Sequence, residues 1–111
     1  MFYFVCSFDY TVRMFTIKLL PDFSDWLDGL KDPVTRIRLA RRLDKVARGQ
    51  LGDVKPVGEG VIEMREHFGP GWRMYYVQRG SVLIVMLGGG DKSTQTSDIA
   101  RAAKLAANLE E

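Results

Sequence analysis

Residues 60–95, GVIEMREHFGPGWRMYYVQRGSVLIVMLGGGDKSTQ, decide the fold. The stretch reads as three strands joined by two glycine-marked turns. Successive strand residues point to opposite sides. Over residues 61–68, Ile62, Met64 and Phe68 therefore share one face, with Glu66 the polar exception, while Glu63, Arg65 and His67 share the other. That second face is too charged to be buried without partners, and is expected to be open to solvent or to a ligand. Gly69-Pro70-Gly71 makes the first turn, because glycine tolerates positive φ and proline pre-sets its own. Over residues 72–79, Arg73, Tyr75 and Val77 oppose Trp72, Met74 and Tyr76. Arg79-Gly80-Ser81 turns the chain back into residues 82–87, an unbroken apolar run suited to a strand covered on both faces. Connections this short require antiparallel neighbours. The strand is expected to stop at glycines 88–90. Asp91 and Lys92 then emerge at its end, so that Arg65, Arg73 and Lys92 converge at one edge of a small sheet.

Length and composition limit what can surround this sheet. A chain of 111 residues, 46% hydrophobic and 27% charged, builds one domain of ordinary soluble type. A net charge of +2 is too small to argue for nucleic acid on its own. One cysteine, Cys6, excludes an internal disulfide and a metal site built on several thiolates, consistent with a reducing, cytoplasmic setting. No apolar run approaches the roughly 20 residues that cross a bilayer, so no membrane association is expected. Residues 1–13 are aromatic-rich, but their apolar run is short and no basic residue precedes it, which argues against a signal peptide. They read either as an edge strand or arm over an apolar patch, or as a stretch upstream of a start at Met14. Met14 opens the strand MFTIKLL, with Phe15, Ile17 and Leu19 on one face.

Pro21 ends that strand. Asp22 and Ser24 offer caps for a short amphipathic helix carrying Phe23, Trp26, Leu27 and Leu30, with Gly29 in its last turn. Asp32-Pro33 starts a second helix, aspartate at the cap and proline at the first helical position. It runs to about Ala47, with Ile37, Ala40, Leu43, Val46 and Ala47 as its expected buried stripe. Helices joined so closely are expected to form an antiparallel hairpin. The second one carries Arg36, Arg38, Arg41, Arg42, Lys45 and Arg48 against a single acid, Asp44. That face is either merely solvated or an electrostatic footprint for phosphates or an acidic partner. Residues 51–60 read as a loop broken by Gly52, Pro56, Gly58 and Gly60. Thr94, Thr96 and Ser97 offer caps for a last helix with Asp98 in its first turn and Ile99, Ala102, Ala103, Ala106 and Leu109 as its apolar stripe. The expected class is α+β: strand, helix hairpin, three antiparallel strands and a C-terminal helix, a small sheet packed on helices.

The segments FSDWLDGLKD, TRIRLARRLDKVARGQLGDVKPVGEGVIEMREHFGPGWRMYY and LGGGDKSTQTSDIARA carry a resemblance. Together they make the chain similar to toxins of bacterial type II toxin–antitoxin modules in the RelE/ParE superfamily. Within it, the match is to the HigB-like group of phage-derived addiction-module killer proteins. The resemblance covers residues 14–111 as a single toxin domain and leaves 1–13 outside. It implies a RelE-like, microbial-ribonuclease-like fold and, for the best-studied branch, cleavage of messenger RNA in the ribosomal A site with no metal or cofactor. There the 2′-hydroxyl of the RNA attacks the adjacent phosphate and leaves a 2′,3′-cyclic phosphate. The protein must orient that attack, neutralise charge growing on the phosphoryl oxygens and manage two protons. Arginine suits the second task, since its planar fork meets phosphate bidentately and stays charged. The sequence GGGDKS lacks the spacing of a phosphate-binding P-loop.

By this resemblance Arg73 matches the family's middle-strand arginine, and Arg65 the basic residue on the preceding strand. Lys92 falls where relatives place a cation just after the last strand, to stabilise the transition state or protonate the leaving oxygen. Glu63, on the face of Arg65, is the candidate general base. Arg38, Arg41, Arg42, Lys45, Tyr75 and Gln95 are candidates to hold RNA, and Trp72, Tyr75 and Tyr76 could stack on bases. Implied partners are mRNA, the ribosome and a cognate antitoxin over the basic face, in a possible hetero-oligomer. Plainer roles compete. Arg65 could form a structural ion pair with Glu63 or Glu66, Lys92 could be an exposed turn residue, and Trp72 and Tyr76 share the core phase of Met74. His67, alone beside a turn, reads as a surface residue. Some RNA-cleaving relatives carry a tyrosine or histidine in or near the last helix, and this chain has neither after Tyr76. A DNA gyrase inhibitor of the ParE branch and a non-catalytic antitoxin-binding module are therefore the alternatives.

Overall fold

A computed structural model describes residues 14–109. The arm or strand expected over residues 1–13 lies outside the described residues. In chain order the elements are β1 (Thr16–Leu19), α1 (Pro21–Asp28), α2 (Pro33–Ala47), β2 (Val54–Gly58), β3 (Val61–Arg65), β4 (Trp72–Arg79), β5 (Leu83–Asp91) and, after a short 3-10 turn, α3 (Gln95–Ala107). The strands form one sheet in the order β1-β5-β4-β3-β2. β1 runs parallel to β5, and the other neighbours are antiparallel.

The expected α+β class holds. Period-2 alternation sends Met64, Met74, Tyr76, Ile84 and Met86 to one face, where they pack with Phe23 of α1 and Leu39 and Val46 of α2. Tyr75, Val77, Val85 and Leu87 go to the other, under Ala102 and Ala106 of α3. The small alanines let α3 lie close to the sheet, and the predicted stripe of that helix is the one it buries. β4 and β5 are thus covered on both sides, as the unbroken apolar run required. Asp32-Pro33 acts as read: the Asp32 carboxylate caps α2 by accepting from the Val34 N–H at 3.1 Å and the Thr35 hydroxyl at 2.9 Å. Pro21 follows the end of β1 as expected, but it also opens α1, so Asp22 and Ser24 lie inside the helix and neither caps it; the cap position is Leu20, with no side-chain hydrogen bond.

Four further expectations need correction. Residues 54–58 of the presumed loop form β2, which pairs with β3 through a bulge near Gly58. Pro56 is tolerated because β2 is an edge strand, where no further neighbour needs its missing N–H. Glycines 88–90 lie inside β5 rather than ending it. A Cβ on Gly89 would come 2.4 Å from Cζ3 of Trp26, and one on Gly90 would come 1.9 Å from Oδ2 of Asp98. These glycines are the bare floor onto which α1 and the first turn of α3 descend. The α2 stripe is rotated: Thr35, Leu39 and Val46 are buried, whereas Ile37 is 50% exposed and Ala40 is exposed. Finally, the charged sheet face is not open throughout, since Glu63 and Arg73 are buried beneath it.

The rotation of α2 has a specific cause. Arg42 points at the β2–β3 edge, donating from Nη1 to the Arg65 carbonyl at 3.0 Å and to the Glu66 carboxylate. Its Nη2 donates to the carbonyls of Leu51 at 2.8 Å and Asp53 at 3.0 Å. With Arg42 fixed there, Leu39 and Val46, three residues before and four after it, face the sheet. Ile37 and Ala40, out of phase with that set, turn outward.

Denaturant unfolding of two pairs of variants tests these contacts. Gly89→Ala forces a carbon into the Trp26 ring and is expected to cost about 3 kcal/mol. Gly88→Ala, whose added methyl would meet nothing within 4 Å, is expected to stay within about 0.5 kcal/mol. Arg42→Ala, which takes the donor from the Glu66 carboxylate and from the carbonyls of Leu51 and Arg65, should cost about 3 kcal/mol. The exposed Arg41→Ala should be close to neutral, and equal losses for both arginines would refute the role given to Arg42.

Candidate functional site

Strand register builds the site. Arg65 lies opposite Arg73, and Arg73 opposite Gly90 in β5. The β3–β4 turn, residues 66–71, projects from this end of the sheet. Two layers of charge meet here.

The lower layer is buried. Arg73 is 4% exposed and donates from Nη1 to the carbonyls of Glu66 at 2.9 Å and Trp72 at 3.0 Å. Its Nε lies 3.9 Å from Oε1 of Glu63, too far for a hydrogen bond but close enough for strong attraction in a dry setting. Glu63, 1% exposed, accepts at Oε2 from the Tyr75 hydroxyl at 3.1 Å and from Nε2 of Gln95 at 2.7 Å. Burial pushes the Tyr75 phenol well above its ordinary value, and the nearby Glu63 charge reinforces the shift, so Tyr75 remains a donor.

The upper layer is a rim of accessible cations around the turn. The Lys92 stem lies over Gly71, whose Cβ would come 2.7 Å from its Cδ. Gly71 is left-handed at φ 83°, so the glycine both shapes the turn and makes room for this lysine. The Arg38 guanidinium sits 3.6 Å above the Phe68 ring, a cation–π contact at the opposite flank. Arg65, with about a third of its side chain exposed, places Nε 3.4 Å from Oδ2 of Asp53. The same carboxylate oxygen is 2.6 Å from Nε2 of His67. Along α2 a shallow cavity of about 220 Å³, lined by Arg38, Arg41, Arg42, Lys45 and Glu66, continues the basic surface.

The structure therefore divides the residues that the sequence proposed. Arg65, Lys92, Arg38, Arg41 and Lys45 stand at the surface, whereas Arg73, Glu63 and Tyr75 lie below it. The Tyr75 ring, fully buried against α3, presents no face to a base. Gln95 covers Glu63, and Arg42 is committed to the fold. The partner of Arg65 is Asp53 rather than Glu63 or Glu66. Asp53 carries no local signal because it sits in the segment that reads as a loop, and only the β2–β3 pairing brings it beside Arg65 and His67. A larger cavity of about 440 Å³, floored by Gly88 and Gly89, sets Asp22, Asp25 and Asp98 against one cation, Arg101. Its charge repels phosphate, so size does not make it the anion site.

No protein-family model matches the chain. An uncharacterized protein of Haemophilus influenzae is 39% identical over 93 residues, covering 84% of this chain and 94% of that relative. Among solved structures, a mutant of the Escherichia coli toxin RelE in the free state superposes with a TM-score of 0.66 at 15% identity, covering 86% of this chain and 99% of the toxin. The toxin–antitoxin complex RelBE2 of Mycobacterium tuberculosis gives 0.59 at 18% identity, covering 71% of this chain and 99% of the matched one. The chain belongs to one family with the Haemophilus influenzae protein and is built on the fold of the RelE toxins.

Proposed function

We propose that this protein is the toxin of a type II toxin–antitoxin module, of the HigB-like group, and that it acts in the cytoplasm as a metal-independent endoribonuclease on ribosome-bound mRNA. The observation that carries this reading is the rim of Arg38, Arg65 and Lys92 around the β3–β4 turn, prolonged along α2 by Arg41 and Lys45. Such a track suits a phosphodiester backbone, with cations spread along a surface and no requirement for base-specific contacts. Lys92 and Arg65 are the groups able to meet the non-bridging oxygens of a scissile phosphate. Arg73 acts from below, tying the carbonyls of Glu66 and Trp72 and so fixing the platform on which the turn stands. Glu63 anchors Arg73, Tyr75 and Gln95.

The RelBE2 neighbour is a toxin–antitoxin complex, which supports a cognate antitoxin as partner. An acidic segment of that antitoxin covering the same cations would exclude RNA. The burial of Glu63 and Arg73 favours a second reading, a toxin that blocks its target by binding without cleavage.

Inducible expression without antitoxin, followed by mapping of RNA ends, separates these readings. The expected result is growth arrest with new 5′-hydroxyl ends and 2′,3′-cyclic phosphates, reduced about 100-fold by Lys92→Ala. Arrest with intact RNA supports the binding reading, trapped double-strand DNA breaks would assign the target to gyrase, and unimpaired growth would end the toxin assignment. On purified protein, Arg38→Ala and Arg41→Ala should each weaken RNA binding and lower its salt dependence by about 0.7 in log–log slope.

A further inference from the structure

We infer that His67, oriented by Asp53, is the proton-accepting group of this site, its Nδ1 taking the proton of the attacking 2′-hydroxyl. The inference rests on the nuclease reading above and names the residue that reading lacks, because Glu63 is 1% exposed and already engaged by Tyr75 and Gln95. His67 is the one histidine of the chain, and 68% of its side chain is exposed. It sits in the β3–β4 turn, which Lys92 meets at Gly71, and shares the Asp53 carboxylate with Arg65.

The geometry assigns its tautomer. The hydrogen bond to His67 holds the Asp53 carboxyl below the ordinary carboxylate value, with Arg65 reinforcing it. Asp53 is therefore ionised and can only accept, so the shared proton rests on Nε2 at 2.6 Å. In the neutral imidazole Nδ1 then carries the lone pair. Asp53 is itself held by its own backbone: its carbonyl accepts from Arg42 Nη2 at 3.0 Å and from the Arg65 N–H at 2.9 Å. A carboxylate fixed in this way orients the imidazole and stabilises the imidazolium that forms.

In the step, the 2′-oxygen bonds to phosphorus as its proton passes to Nδ1. The bond from phosphorus to the 5′-oxygen of the next nucleotide breaks, and that oxygen takes a proton from the Lys92 ammonium. Imidazolium and amine then return to their starting states by exchange with water, leaving a 2′,3′-cyclic phosphate and a 5′-hydroxyl.

The test uses the full chain, with an mRNA on programmed ribosomes and the same RNA free, in single-turnover assays. His67→Ala is expected to cleave about 100-fold more slowly, with unchanged RNA affinity and thermal midpoint, and added imidazole is expected to restore part of the rate. Asp53→Asn should lower the maximal single-turnover rate while leaving the half-saturating concentration in place. If the wild type cleaves and His67→Ala cleaves equally fast, or is slow only through weaker RNA binding and unmoved by imidazole, the assignment of His67 is wrong while the nuclease reading stands. A wild type that leaves both RNAs intact overturns the two together.

Discussion

One guanidinium holds this molecule in register. Arg42 reaches from α2 to three backbone carbonyls and the Glu66 carboxylate, joining a helix to the edge formed by β2 and β3. Arginine can do this where lysine could not, because its planar fork presents several donors at once and its charge survives partial burial. Desolvating that charge is costly, and the four acceptors offset it. The consequences spread outward. The rotation of α2 is set, Asp53 is brought beside Arg65, and the β3–β4 turn leaves the sheet from a fixed point.

The polar groups near this turn obey different rules at different depths. Glu63, Arg73 and Tyr75 meet where water is excluded, with the half-buried Gln95 closing over Glu63, so removing one of the buried three leaves its neighbours unsatisfied and costs much more than the net worth of the contact. Asp53, Arg65 and His67 lie where solvent screens them, and their pairing contributes little to stability. That difference frees the outer set to respond to a ligand. A rigid floor below an adjustable rim is the arrangement a transition-state site needs, since the groups meeting the ligand are only as well placed as what supports them.

Much of the fold was legible because burial leaves a period. Alternation over residues 61–68 and 72–79 gave the faces of β3 and β4, the apolar run gave a doubly covered β5, and the alanine stripe gave the packing face of α3. Local chemistry gave the Asp32-Pro33 helix start. What escaped depended on partners distant in sequence. Pro56 and Gly58 look like breakers unless the strand is known to lie at an edge. Glycines 88–90 look like a turn unless Trp26 and Asp98 are known to arrive above them. The side-chain layer of Glu63 and Arg73 was placed on the correct face, but nothing local shows that the first turn of α3 closes over it. For the site, charge and face were readable, while depth and the part played by Asp53 were not.

The parallel pairing of β1 with β5 sets the timing of assembly. Thr16 meets Leu83, so the first strand of the described fold finds its neighbour in the last. The meander of β3, β4 and β5 closes through short turns and can form early, whereas β1 must wait for β5 and for a long loop to close. During synthesis β1, with Phe15 beside it, therefore remains unpaired until β5 has left the ribosome. Among the strands of the sheet, β1 is thus the one whose neighbour is made last.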